Sequence, residues 1–170
     1  MSAIITDIGH TEIVRKLLNT DSIWVGIGKT TAWADENNPP APDPSTTEIS
    51  EVVGYKKVLD KYLVVEDPTN GTIDFGSTKY RPVNESDYFT EKPHFLYLKF
   101  EIIGDELPLV TYRQIGIVFD LVPDTGYEAY TVLTSDQVSD TGYLLTLDNR
   151  TPVTRYSDTK DVFEYIIRGW

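Results

Sequence analysis

The chain has 170 residues, 40% hydrophobic and 12% aromatic, which is enough apolar material to bury a proper core. Fifteen Lys and Arg against 27 Asp and Glu give a formal charge of −12, so the body repels phosphate backbones and nucleic-acid binding is excluded. The absence of cysteine removes disulfides, thiolate metal sites and a cysteine nucleophile.

In chain order, residues 4–19 are expected to form an amphipathic helix. Ile13, Val14, Leu17 and Leu18 fall on one stripe, with Glu12, Arg15, Lys16 and Asn19 opposite. Thr11 is the expected N-cap, and the apolar stripe is expected to pack on a sheet. Ile23, Val25 and Ile27 then alternate with Trp24, Gly26 and Gly28, a strand pattern. From Trp33 the chain enters a proline-rich arm, residues 33–44, in which Pro39, Pro40, Pro42 and Pro44 forbid helix and central strand. The expected arm is stiff, extended and turned to solvent, where a rigid body can present it to a partner.

Thr46 and Thr47 before Glu48 and Glu51 predict one or two helical turns closed by Gly54. Residues 55–66 read as two strands broken near Asp60, and Asp67 to Gly71 as a tight Asn-Gly hairpin turn. Short strands follow on both sides of Gly76. His94 to Ile103 is the strongest strand, with Leu96, Leu98, Phe100 and Ile102 on one uniformly apolar face. Leu109 to Val122 is a second, in which Gly116 permits close approach of a neighbour. Gly142 to Leu147 reads as a strand interrupted by Asp148–Pro152 and resumed at Val153. The tail from Val162 alternates again. One helix with many spaced strands predicts a single mainly β (α+β) domain spanning 1–170, an antiparallel β-sandwich with an N-terminal amphipathic helix and a long proline-rich loop.

Signals for chemistry are weak. Gly28-Lys29-Thr30 ends like a phosphate loop, but the preceding glycine is too close and a proline arm follows where a helix is required. The glycines fit close backbone packing instead. His10 and His94 are distant in sequence and lack a G-x-S-x-G partner. The acidic pairs sit beside turn residues and read as solvated faces, and calcium-loop spacing is missing. No catalytic residue, cofactor or metal is expected. No run of about 18 apolar residues or charged-then-apolar leader predicts a membrane partner or secretion, so synthesis in a cytoplasm-like compartment is expected.

Three stretches carry a resemblance: the strand, tryptophan, Asp35-Glu36-Asn37 and proline run of Ile23–Pro44, then Tyr112 to Ile117, then Leu147 to Val153. Together, and in this order, the chain resembles the baseplate wedge subunit of contractile-tailed, T4-like bacteriophages, a dimeric wedge protein. It is much shorter than the T4-type subunit. The resemblance implies a non-enzymatic virion protein of the tail baseplate. It implies a homodimer that clamps other wedge proteins during assembly and contraction. The expected interface residues are Trp33, Asp35, Glu36, Pro39, Pro40, Arg113, Asn149, Arg150, Pro152 and Trp170. Trp33 and Trp170 suit anchors, whereas Trp24 suits the core. Arg113, Arg150 and Arg155 suit carboxylate pairing, inside the chain or across an interface. A receptor- or glycan-binding tail module with grouped aromatics, and a carbohydrate-active tail enzyme, are the alternatives.

Overall fold

Apolar alternation becomes strands, and prolines and capped turns separate them. The computed structural model describes residues 3–169; Trp170, an expected anchor, lies outside them. The chain folds into two compact units, one built from residues up to Thr20, Leu59–Lys99 and Phe163 onward, the other from Asp21–Val58 and Phe100–Val162.

In the first unit, helix α1 spans Asp7–Leu18. Its cap is Thr6, not Thr11: the Thr6 hydroxyl oxygen accepts from the Gly9 N–H at 3.2 Å. An N-cap needs extended backbone, which Thr6 has at φ −77° and ψ 163°. Thr11 instead lies a turn inside, buried, and donates its hydroxyl to the Asp7 carbonyl. Asp7 in the first turn and Arg15 and Lys16 in the last agree with the helix dipole.

The chain then contributes β1 (Ile23–Gly28) and β2 (Gly54–Lys57) to the second unit before returning as β3 (Asp60–Glu66), β4 (Ile73–Phe75) and β5 (Thr78–Pro82). A one-turn helix, α2 (Tyr88–Glu91), precedes β6 (Phe95–Ile103). On β6 the expected apolar face is realised, with Leu96, Leu98, Phe100 and Ile102 fully buried. The last strand, β12, is Lys160–Arg168. These strands make a sheet of order β12-β6-β3-β5-β4, with a core of Val64, Tyr80 and Tyr97. Because β3 pairs with β5, Asn70-Gly71 does not close a two-residue hairpin. The Asp67 carboxylate makes that turn by accepting from the Thr69 and Asn70 amides, and the tight hairpin is β4–β5, where Gly76 has φ +62°.

The second unit adds β7 (Thr111–Phe119), β8 (Val122–Pro123), β9 (Val132–Thr134), β10 (Val138–Asp140) and β11 (Tyr143–Thr154). Its main sheet runs β11-β7-β1-β2-β9, antiparallel throughout, and β8 pairs with β10. One face of this sheet carries Trp24, Tyr55, Val118 and Leu133, with Ile49 laid across it. Trp24 is buried there, as expected of a core residue, its Nε1 donating to Ser22 Oγ at 3.0 Å. Residues 45–53 form no helix. The Asp43 carboxylate accepts from both the amide and the hydroxyl of Ser45 and turns the chain away from helical geometry. Asp148–Pro152 does not break the strand either: β11 is continuous for 12 residues, and a register shift between Asn149 and Val153 absorbs the extra residues as a bulge. The chain is therefore mainly antiparallel β with an N-terminal helix, and no helix among the described residues is long and apolar enough to cross a membrane.

Candidate functional site: the junction of the arm with the sheet

The proline arm leaves β1 at Lys29 and returns to the sheet at Ile49, so its two ends are fixed by that sheet. At the exit, Gly28 lies so close to the returning chain that an added Cβ would sit 2.4 Å from the Ser50 carbonyl oxygen. Lys29 at φ +56° and Glu51 at φ +46° take left-handed backbone on the two sides of this crossing. The Lys29 N–H donates to the Ser50 carbonyl at 2.6 Å. The Glu51 carboxylate accepts from the Thr31 N–H at 2.7 Å and the Thr30 hydroxyl at 2.8 Å, with Lys29 Nζ at 3.4 Å. The Thr31 amide bond, then the Thr30 and Thr31 side chains, hold its carboxyl down at about 2. The depressed value means that Glu51 secures the junction above the ordinary carboxylate range and releases it as pH falls toward 2. The Thr31 amide resonance is thus expected to keep its position from neutral pH to about 4 and to move with an apparent midpoint near 2, a movement that the Glu51→Gln variant lacks.

Further along the arm, three of the expected interface residues are held by three others. Trp33 is half-buried, and its Nε1 donates to the Arg150 carbonyl at 3.0 Å while Lys29 Nζ lies 5.4 Å above its ring. Glu36 receives Arg113 through Nε at 2.8 and 3.0 Å and through a terminal nitrogen at 2.6 Å, a bidentate pair. Arg113 also donates to the Thr30 carbonyl at 2.6 Å. The Arg113 hydrogen bond lowers the Glu36 carboxyl, and the same bond raises Arg113. Asn149 Nδ2 donates to the Pro40 carbonyl at 3.0 Å, while its Oδ1 accepts from Gln114 Nε2 at 2.8 Å. Gln114 in turn accepts the Ser50 N–H at 2.8 Å.

The arm is therefore not a free extended projection. Three residues on β7 and β11 (Arg113, Asn149 and Arg150) fasten it to its own sheet, with Gln114 holding Asn149 and the returning Ser50, since a segment this poor in N–H groups finds its bonds through side chains and carbonyls. Asp35 stays exposed and turns the arm by accepting from the Asn37 N–H. Pro39 is half-buried, Pro40 and Pro152 are exposed, and Pro152 lies in the β11 bulge. Arg150 differs from Arg113 and Arg155. Its Nε is buried without a hydrogen-bond partner, whereas Arg155 pairs with Asp161 within the chain. Sequence reading missed Ser50, Glu51 and Gln114. Gln114 lay inside the Tyr112–Ile117 stretch and Glu51 inside the expected capping pattern, but nothing local to Glu51 points to residues 20 positions away.

The two histidines, remote in sequence, meet in the first unit with ring centroids 5.0 Å apart. His10 Nδ1 bonds the Gly169 carbonyl, and His94 Nε2 lies 4.0 Å from an Asp7 carboxylate oxygen. Among the described residues no group of three or more histidines and carboxylates is placed to hold a metal.

A family model described as "Baseplate wedge 3 tail fiber network component" matches residues 2–168. The chain belongs to that family. It is also similar to "Virion protein 3" of Enterococcus phage phiEF24C, 42% identical over 143 residues that cover 81% of this chain and 78% of that protein. The resemblance noted in three sequence stretches thus extends over nearly the whole chain, which is a phage baseplate wedge-type protein of the virion tail. Association with other baseplate components follows from the family.

Proposed function

We propose that this protein is a non-enzymatic wedge subunit that holds neighbouring baseplate proteins together during assembly and contraction of the tail, and that it acts as a homodimer. The observation that carries the reading is the arm: a 12-residue proline-rich segment kept mostly exposed yet pinned at Trp33, Glu36 and Pro40 to its own sheet. A segment ordered before it meets a partner loses little conformational entropy on docking, which favours a clamp over a flexible tether. Its exposed prolines, with the exposed Asp35 and Asp43, then form a rigid surface, and the subunit moves as a body while its neighbours change contacts.

Two measurements test this. Light scattering on a sizing column is expected to give twice the 19.3 kDa chain mass; a monomer at all concentrations overturns the homodimer. Trp33→Ala removes the bond to Arg150 and the lysine–ring contact, and is expected to reduce incorporation into baseplates about tenfold while the purified chain stays folded. Unchanged incorporation would remove the arm from the interface. Trp33→Phe keeps the ring but loses the Nε1 bond, a change of about 1 kcal/mol.

A further inference from the structure

Strand β11 ends the sheet, with β7 on one side and, among the described residues, no strand on the other. Edge strands leave alternate N–H and C=O groups unpaired, and such rows recruit another extended backbone unless they are covered. Beside this edge runs a groove of about 280 Å³, walled by Leu144, Leu145, Thr146 and Leu147 and, opposite, by the arm at Pro42–Pro44 and Thr46. Four consecutive strand residues span about 13 Å, the length of four residues of extended chain. In the wall facing the strand, Pro42 and Pro44 have no N–H to give, and the Ser45 and Thr46 amides are spent on Asp43. A bulge at Leu145 turns that side chain outward, leaving it 39% exposed at the groove.

We infer that this groove receives an extended segment of another virion chain, basic and apolar in alternation, which adds to β11 along Leu144–Leu147. The backbone of β11 supplies the ladder, Leu144, Leu145 and Leu147 take the apolar side chains, and the carboxylate of Asp43 in the opposite wall faces the basic ones. Hydrogen bonds from Ser45 keep the Asp43 carboxyl below its ordinary range, and the chain as a whole carries −12, so a basic occupant is favoured over an acidic one. The inference rests on the baseplate reading for its source of partners, but not on the homodimer.

The test uses the full chain, ¹⁵N-labelled, titrated separately with the blocked peptides acetyl-KVKVKV-amide and acetyl-EVEVEV-amide. The lysine peptide is expected to shift the amides of residues 144–147, to slow their hydrogen exchange at least tenfold, and to bind at least tenfold more tightly than the glutamate peptide. Leu145→Lys places a like charge in the groove and is expected to abolish the shifts; Asp43→Asn is expected to weaken binding several-fold with the fold retained. No shift at 144–147 with either peptide overturns the inference. So does concentration-dependent protection of these amides without peptide, which would make a second copy the occupant, and so does equal binding of both peptides. None of these outcomes depends on whether Trp33→Ala enters baseplates, so the two readings fail separately.

Discussion

Replacing Arg155 by methionine is expected to lower the melting temperature by on the order of 10 °C, because its charge is spent entirely inside the fold. The Arg155 side chain is only 1% exposed, and its Nε donates to the Asp161 carboxylate at 2.8 Å. One terminal nitrogen donates to the Leu107 carbonyl at 2.9 Å and the other to the Gly104 carbonyl at 2.7 Å. A single guanidinium thus ties the turn after β6, the approach to β7 and the start of β12. Methionine fills most of the volume and satisfies none of these acceptors. It leaves a nearly buried carboxylate at Asp161, 14% exposed, and two carbonyls without donors. Removing one partner of a buried pair costs about 3–5 kcal/mol, more than the pair's net worth, because the remaining charge stays desolvated. At this chain length 1 kcal/mol corresponds to roughly 2–4 °C in melting temperature. The double variant Arg155→Met with Asp161→Leu is expected to recover part of the loss. Calorimetry on the two singles and the double decides it: a shift under about 3 °C for Arg155→Met would mean that water reaches these carbonyls.

Arg155 also illustrates what a sequence makes legible. Its charge in an acidic chain marked it as a partner for some carboxylate, and no spacing could say whether that carboxylate lay inside the chain. The strands were readable because alternation is local: the buried face of β6 follows from one glance at Phe95 to Ile103. The bulge at Asp148–Pro152 was not, since proline and charge look the same in a loop as in a strand edge that has lost its partner. Asn70-Gly71 misled for the opposite reason. The pair has the turn chemistry, but β5 rather than β4 lies beside β3, and non-local pairing overrules local propensity. The arm was recognised from its prolines, and its composition alone implied exposure. What composition cannot encode is a tether made by residues 77 and 117 positions away, as Arg113 and Arg150 are from Glu36 and Trp33.

Gly28→Ala is the smallest substitution expected to disrupt the junction, and it separates the two readings of the Gly-Lys-Thr stretch. An alanine methyl at this position would sit 2.4 Å from the Ser50 carbonyl oxygen and 2.7 Å from Ile49 Cγ2. The first is backbone, fixed by the Lys29 N–H bond to that same oxygen and by the Ser50 N–H bond to Gln114. It cannot rotate aside as a side-chain end would. Gly26 and Gly116, paired across β1 and β7, lie under the same Ile49, where an added Cβ would come within 2.5 and 2.8 Å of it, so three glycines make a floor on which the returning chain lies flat. Lifting that chain opens the core under Ile49 and pulls Glu51 away from Thr30 and Thr31. Overpacking of this kind costs about 3 kcal/mol, and here the damage extends to the root of the arm. The expected result is a melting temperature lower by roughly 6–12 °C, together with loss of the low-pH transition at Thr31. Gly126→Ala is the control for conformation: Gly126, unlike the extended Gly28, has positive φ, at +97°, and meets nothing within 4 Å, so alanine there costs only its backbone strain of about 1 kcal/mol. A Gly28→Ala loss no larger than that of Gly126→Ala would mean that the Ser50 carbonyl moves aside, and that the close approach of backbone to backbone does not organise the arm.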